Sequence, residues 1–154
     1  MTSATIRSAS ACDAVAVSAL LTELGYPTLA SSVPDRLARL AATGWATALV
    51  AEEEALVGLA TGHVLPVLHA DGPLARLTVL VVAPSARGRG VGRRLVEAIE
   101  AWARSKGCAR IAVTTALHRA EAHAFYERIG YEHTGRRYAK VLDRAGLGAD
   151  SRAR

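Results

Sequence analysis

Aromatic residues are scarce in this chain: one Phe, two Trp and four Tyr, 5% of 154 residues. Single-stranded nucleic acids are gripped by stacking bases on such rings, so the shortage argues against that class of partner. Cysteine is nearly absent. Cys12 and Cys108 stand far apart, without a CxxC pair or the His/Cys spacing of a metal site. The expectation is two buried free thiols, no metal and no need for an oxidising compartment. No apolar run approaches the ~20 residues of a membrane helix. The opening MTSATIRSAS lacks the basic-then-apolar pattern of a secretion signal. A cytoplasmic protein that meets no membrane is predicted.

What is present suits one ordinary globular domain, with 51% hydrophobic and 21% charged residues. The net charge of +5 is unevenly spread: residues 1–75 hold three basic and seven acidic side chains, residues 76–154 sixteen and seven. A basic second half suits a polyanionic ligand, and an acidic first half a cationic one.

The pattern of apolar residues predicts a mixed α/β order. Thr5 to Arg7 reads as a short strand. Asp13 is placed to cap a helix carrying Val17, Leu20, Leu21 and Leu24, stopped by Gly25. A second helix starts near Pro34, with Ser32 as its cap and Leu37 and Leu40 on one face. Ala46–Ala51 and Leu56–Leu65 read as an antiparallel pair about Glu52-Glu53-Glu54. Leu77 to Val82 is nearly all apolar and β-branched and predicts a strand covered on both faces. A helix follows with Val91, Leu95, Ile99 and Trp102 on one side, ended by Gly107. Ile111–Thr115 is predicted as strand and Ala120–Ile129 as helix, with Ala122, Phe125, Tyr126 and Ile129 inward. Tyr131–Thr134 and Arg137–Leu142 are predicted as closing strands. The expected domain is residues 1–143, with 144–154 a flexible tail.

The most informative stretch is Leu77 to Arg94, LTVLVVAPSARGRGVGRR. A strand runs through Pro84 into a loop of glycines and arginines and then directly into a helix. Backbone N–H groups, the positive end of the helix dipole and guanidinium groups converge there, which is a site for phosphate. The loop lacks the GK[ST] ending of a nucleotide-hydrolysing P-loop. Gly88, Gly90 and Gly92 are spaced G-x-G-x-G rather than G-x-G-x-x-G, which sets the dinucleotide fingerprint aside. Arg93 and Arg94, in the first helical turn, oppose the helix dipole and favour an anion nearby.

Val82-Ala83-Pro84 followed by Arg87-Gly88-Arg89-Gly90-Val91-Gly92 resembles the acetyl-CoA motif of the GNAT superfamily of N-acetyltransferases, matching at Arg87, Gly90 and Gly92. Ala122 to Tyr131, AHAFYERIGY, is similar to a second motif of that family. The order of elements over residues 5–142 also resembles it. The resemblance implies one GNAT-like domain, a twisted mixed sheet flanked by about four helices. It implies acetyl-CoA as cosubstrate, a primary amine as acceptor, and a homodimer as a frequent state; direct attack in a ternary complex is expected because neither cysteine sits in a motif for an acetyl-enzyme intermediate. It further implies that main-chain groups of Leu80, Val81 and Val82 receive the pantetheine arm, with an N–H near Leu80 supporting the oxyanion. Arg87, Gly88, Arg89, Gly90, Val91 and Gly92 would cradle the pyrophosphate, and Tyr126 would fall on the family's general-acid position.

Physical chemistry agrees with the last assignment. A phenol of pKa about 10 stays protonated at neutral pH and can donate to a thiolate whose acid has a pKa near 8.5. The strand carboxylate that deprotonates the amine in many family members has no counterpart in Ala75-Arg76-Leu77-Thr78-Val79, and Arg119 replaces the family's asparagine. An alkyl amine of pKa near 10.4 is neutral only about once in 2,500 molecules at pH 7, so some group must remove its proton. His63, His69 and His118 are the candidate bases. Asp71 and Glu23 are candidates to attract a cationic acceptor. A non-catalytic acyl-CoA sensor and a transferase acting on protein amines remain as alternatives.

Overall fold

In the computed structural model, which describes residues 3–143, the chain runs through β1 (Thr5–Ser8), α1 (Ala14–Leu24), α2 (Val33–Ala42), β2 (Ala46–Glu52), β3 (Leu56–Leu65), β4 (Leu74–Val82), α3 (Val91–Ser105), β5 (Ile111–Val113) and α4 (Ala120–Arg128). This is the mixed α/β set predicted from the sequence. The strands form one sheet in the order β1-β2-β3-β4-β5. The first three pairings are antiparallel and β4–β5 is parallel. Residues up to Val113 form one compact unit and those from Thr114 a second.

In the first unit the sheet packs on helices through side chains that alternate along β3. Leu59 joins Val17 and Leu20 of α1, Val33 of α2, Val50 and Val81 in one buried cluster. The other face of β3 carries Gly58, Ala60, Gly62 and Val64. Small residues are needed there because α3 lies close: a Cβ on Gly58 would stand 2.8 Å from Leu95 Cδ1, and one on Gly62 3.0 Å from Ile99 Cγ2. Residues Val57 to Gly62 are therefore all buried. The strand covered on both faces is β3, not β4 as expected. In β4 Ala75, Leu77 and Val81 are buried while Arg76 and Thr78 are exposed.

The β3–β4 register contains one surplus residue. Thr61 pairs with Val79 but Gly62 pairs with Leu77, leaving Thr78 unpaired in a β-bulge. The bulge exchanges the faces of β4. Val79 and Val81 pack on the α1 cluster, whereas Ala75, beyond the bulge, packs with Ala103 and Cys108 against Trp102. β5 ends at Val113, two residues short of its predicted end, and pairs with β4 only over Ala75–Leu77.

Two helix starts differ from expectation. The Asp13 side chain does not cap α1; it accepts from the Ser10 backbone N–H at 2.8 Å and from both Arg7 terminal nitrogens at 2.9 Å. A guanidinium on β1 outcompetes helix N–H groups because two charge-assisted bonds are stronger than one ordinary cap. The Ser32 hydroxyl likewise turns back to the Leu29 carbonyl rather than capping α2. Gly25 does end α1 in the left-handed region, φ +106°. Cys108 is buried as predicted, but Cys12 is exposed, because it lies on the short turn Ala11–Asp13 rather than on a helix face.

The second unit holds α4. Gly130, φ +98°, ends it, and the Tyr131 N–H bonds back to the Tyr126 carbonyl at 2.9 Å. The predicted closing strands, Tyr131–Thr134 and Arg137–Leu142, are not formed. Neither alternate set of positions in YEHTGRRYAKVLD is apolar, so no face exists to bury, and Gly135 weakens the stretch further. Tyr138 and Leu142 are accordingly almost fully exposed. The expected tail, 144–154, lies outside the described residues. Among the described residues no helix is long and apolar enough to cross a membrane.

Candidate active site

The loop after β4 is fixed at both ends. Ala83 N–H bonds the Val57 carbonyl at 2.8 Å, Pro84–Ala86 form a tight turn, and Ala86 is buried beneath it. Gly88 and Gly90 have φ of +74° and +80°, which L side chains rarely adopt. Nothing lies within 4 Å of where their Cβ atoms would stand, so the backbone presents an open surface. The first intrahelical bond of α3 is Arg94 N–H to the Gly90 carbonyl, at 3.1 Å. The N–H groups of Val91, Gly92 and Arg93 precede it and point out of the helix end. Donors and dipole together suit an anion.

The arginines are already engaged. Arg87 donates through Nε to the Val82 carbonyl at 3.1 Å and through Nη2 to Glu23 at 3.2 Å. Arg89 donates to Glu53 at 2.8 Å, and Arg93 to Glu97 at 2.8 Å. Arg94 donates to the Ser3 hydroxyl. Arg93 and Arg94, expected to need an anion, thus have neutralising or polar partners within the chain. Exposed pairs of this kind contribute about 0–1 kcal/mol, so a polyphosphate can replace the carboxylates at small cost. Glu23, a candidate for drawing in a cationic acceptor, is tied to Arg87 instead.

Leu80, Val81 and Val82 lie between the bulge and the loop. They pair with Ala60, Leu59 and Gly58 of β3. Because β5 stops pairing at Leu77, no strand among the described residues covers the other edge of β4 from Thr78 to Val82. Val81 is buried, so its side chain belongs to the core and only main-chain groups remain for a ligand.

At the bulge three polar groups meet that the sequence reading did not join. Thr78 Oγ1 lies 2.7 Å from Thr61 Oγ1, 3.3 Å from the Thr61 carbonyl oxygen and 3.0 Å from His63 Nδ1. His63 is half-buried, and burial lowers its pKa below the ordinary histidine value. The available signal was the single hydroxyl at Thr78 in an otherwise apolar run. His69 and Asp71 are exposed in the loop before β4, and His118 is exposed in the second unit.

Tyr126, in the second unit, is buried with 9% exposure, its ring 5.2 Å from Phe125 and 5.5 Å from Tyr131. Burial pushes its phenol up to about 12, with the positive charge of Arg119 acting weakly the other way. The hydroxyl is therefore protonated throughout the physiological range.

A mixed sheet whose glycine-arginine loop opens onto a helix start defines an α/β protein with backbone donors suited to an anion. The Acetyltransferase (GNAT) family model matches residues 17–131, and the chain belongs to that family. It is 36% identical over 66 residues to an aminoglycoside N(6')-acetyltransferase type 1 of Stenotrophomonas maltophilia, covering 43% of each chain. It is 33% identical over 87 residues to the aminoalkylphosphonate N-acetyltransferase of Salmonella typhimurium, covering 56% of each. The chain thus spans about half the length of the curated relatives it matches. The solved structure of AAC(6')-Iy with the bisubstrate analogue CoA-S-monomethyl-acetylneamine superposes with a TM-score of 0.80 over 92% of this chain and 99% of that one, at 19% identity; this likeness is one of fold.

Proposed function

We propose that the chain is an N-acetyltransferase that moves an acetyl group from acetyl-CoA to a primary amine of a small molecule, by direct attack in a ternary complex. The observation that carries the reading is the open backbone from Arg87 to Gly92 at the start of α3, in a member of the GNAT family. Coenzyme A supplies an acetyl thioester, whose carbonyl carbon accepts the amine and whose sulfur departs. Gly88 and Gly90 let the backbone approach the pyrophosphate, Val91 and Gly92 donate N–H groups to it, and Arg87 and Arg89 add charge. The uncovered edge of β4 offers main-chain groups of Leu80, Val81 and Val82 to the pantetheine amides, as an added strand would use them. An N–H near Leu80 supports the oxyanion. Tyr126, kept protonated by burial, gives its proton to the departing sulfur.

Support for a small acceptor comes from the relatives, whose names specify an aminoglycoside and an aminoalkylphosphonate, both small amines. The test is thiol release from acetyl-CoA with a panel of aminoglycosides, aminoalkylphosphonates and lysine peptides. Turnover with small amines is expected. Thermal stabilisation by coenzyme A without any turnover would instead make the chain a sensor, a reading favoured by the missing β4 carboxylate. Turnover with peptides alone would move the acceptor to protein.

A further inference from the structure

His63 and Thr78 supply what the missing carboxylate leaves open. The two residues come from different strands and meet only because of the bulge: Thr78, unpaired in the ladder, turns its hydroxyl onto the face of β3 that carries Thr61 and His63. Its three contacts determine where the protons lie. The Thr61 carbonyl can only accept, so the single Thr78 proton goes to it, at 3.3 Å. The Thr78 oxygen must then accept from both remaining neighbours, the Thr61 hydroxyl at 2.7 Å and His63 at 3.0 Å. All three bonds coexist only if His63 Nδ1 carries a hydrogen, which leaves the lone pair on Nε2. Among the described residues nothing hydrogen-bonds Nε2.

Resting on the transferase reading above, we infer that His63 is the general base of this chain, its Nε2 taking the proton of the acceptor amine, and that Thr78 is the positioning residue that fixes its tautomer. Half-burial keeps the ring neutral at pH 7, the form a base requires. Arg76 stands opposite His63 on β4 and Ala46 opposite it on β2. The helices packed on the Leu59 side of the sheet carry Glu23, paired with Arg87, on α1, and Asp35, Arg36 and Arg39, all exposed, on α2. No acidic side chain in the described structure bonds the ring to hold it as imidazolium. The step balances as follows. The amine lone pair forms the C–N bond to the thioester carbon, and the N–H proton passes to Nε2. The C–S pair leaves on sulfur, which is protonated by Tyr126. The imidazolium then releases its proton to solvent water, and the phenolate regains one from it.

The test begins on the ligand-free protein. Side-chain nitrogen NMR of histidine-labelled protein is expected to find His63 as the Nδ1–H tautomer, titrating below the ordinary histidine value, and Thr78→Val is expected to abolish the tautomer preference. An Nε2–H tautomer in the unsubstituted protein overturns the assignment. In the assay, His63→Gln keeps a side chain able to bond Thr78 but cannot titrate. It is expected to lower kcat on an alkyl amine about 10²–10⁴-fold and to erase the acid limb of the kcat/KM profile, with the coenzyme A melting shift retained. The loss should be much smaller with hydroxylamine, which is already neutral at pH 7. Thr78→Val, which leaves the imidazole in place, provides the same readouts should His63→Gln fold poorly, with a smaller fall in kcat expected. Unchanged kcat and an unchanged acid limb in either folded variant overturn the inference alone. Failure of the unsubstituted protein to release thiol with any amine overturns the transferase reading beneath it.

Discussion

Arg89, on the loop before α3, donates to Glu53, on the turn between β2 and β3, at 2.8 Å. The pair couples a cation of the proposed phosphate cradle to a carboxylate 36 residues away that is only 16% exposed. Glu53 therefore competes with any anion for Arg89. Glu53→Gln is expected to tighten coenzyme A binding by up to about fivefold, the range set by exposed ion pairs. Calorimetric titration checks this, and weaker binding in the variant would mean that Glu53 positions Arg89 instead of restraining it.

Tyr126→Phe separates catalysis from packing. The variant keeps the buried ring and loses only the hydroxyl, so coenzyme A affinity should persist while turnover falls about a hundredfold. Unchanged turnover would reduce Tyr126 to a core residue. A second readout is stability at high pH. Burial pushes the folded-state pKa up to about 12 from its ordinary 10.0. The contribution of the neutral buried phenol is thus complete below about pH 10 and is lost as pH rises through about 12. Melting curves of the phenylalanine variant between pH 9 and 12 should lack that part of the decline.

Asp13 governs the opposite limit. Hydrogen bonds from Arg7, reinforced by Ser10, hold its carboxyl down to about 2 from 3.8. Stabilisation from a depressed carboxylate is present above its unfolded pKa and lost as pH falls through the folded one, here between about pH 4 and 2. Asp13→Asn is expected to melt several degrees below the unsubstituted protein at pH 7, the two curves converging near pH 2. A difference in Tm that persists undiminished at pH 2 would assign the effect to shape and not to charge.

Gly58 lies where α3 crosses β3 most closely, with Leu95 fully buried beside it. Gly58→Val forces three carbons into that gap and should cost about 1–3 kcal/mol, read as a lower urea midpoint. Gly88→Ala faces open space and strains only the backbone, so its deficit should be smaller and should fall on coenzyme A affinity as well. Equal destabilisation by the two would contradict the packing described here.

The sequence made some features legible and hid others for physical reasons. Helical spacing gave the buried stripe Val91, Leu95 and Ile99, because an amphipathic helix against a sheet has one stable orientation. The glycine loop was readable because positive φ and close backbone approach leave few residue choices. The doubly covered strand is β3 and not β4 because small residues, not apolar bulk, mark where a helix presses on a sheet. The expected closing strands Tyr131–Thr134 and Arg137–Leu142 do not form, and Tyr138 and Leu142 stand exposed among charged residues. The meeting of His63 with Thr78 depends on register, and a one-residue offset between strands leaves no trace in composition or periodicity.

That offset makes the chain one residue longer than its sheet demands. Were Thr78 excised, Leu77 would join Val79 directly, and Thr61–Val79 and Gly62–Leu77 would still stand across from each other. The ladder would close without a gap and the imidazole on the neighbouring strand would be left without its hydroxyl. A shortened protein of this kind would keep its architecture and its imidazole while surrendering the group that orients the ring.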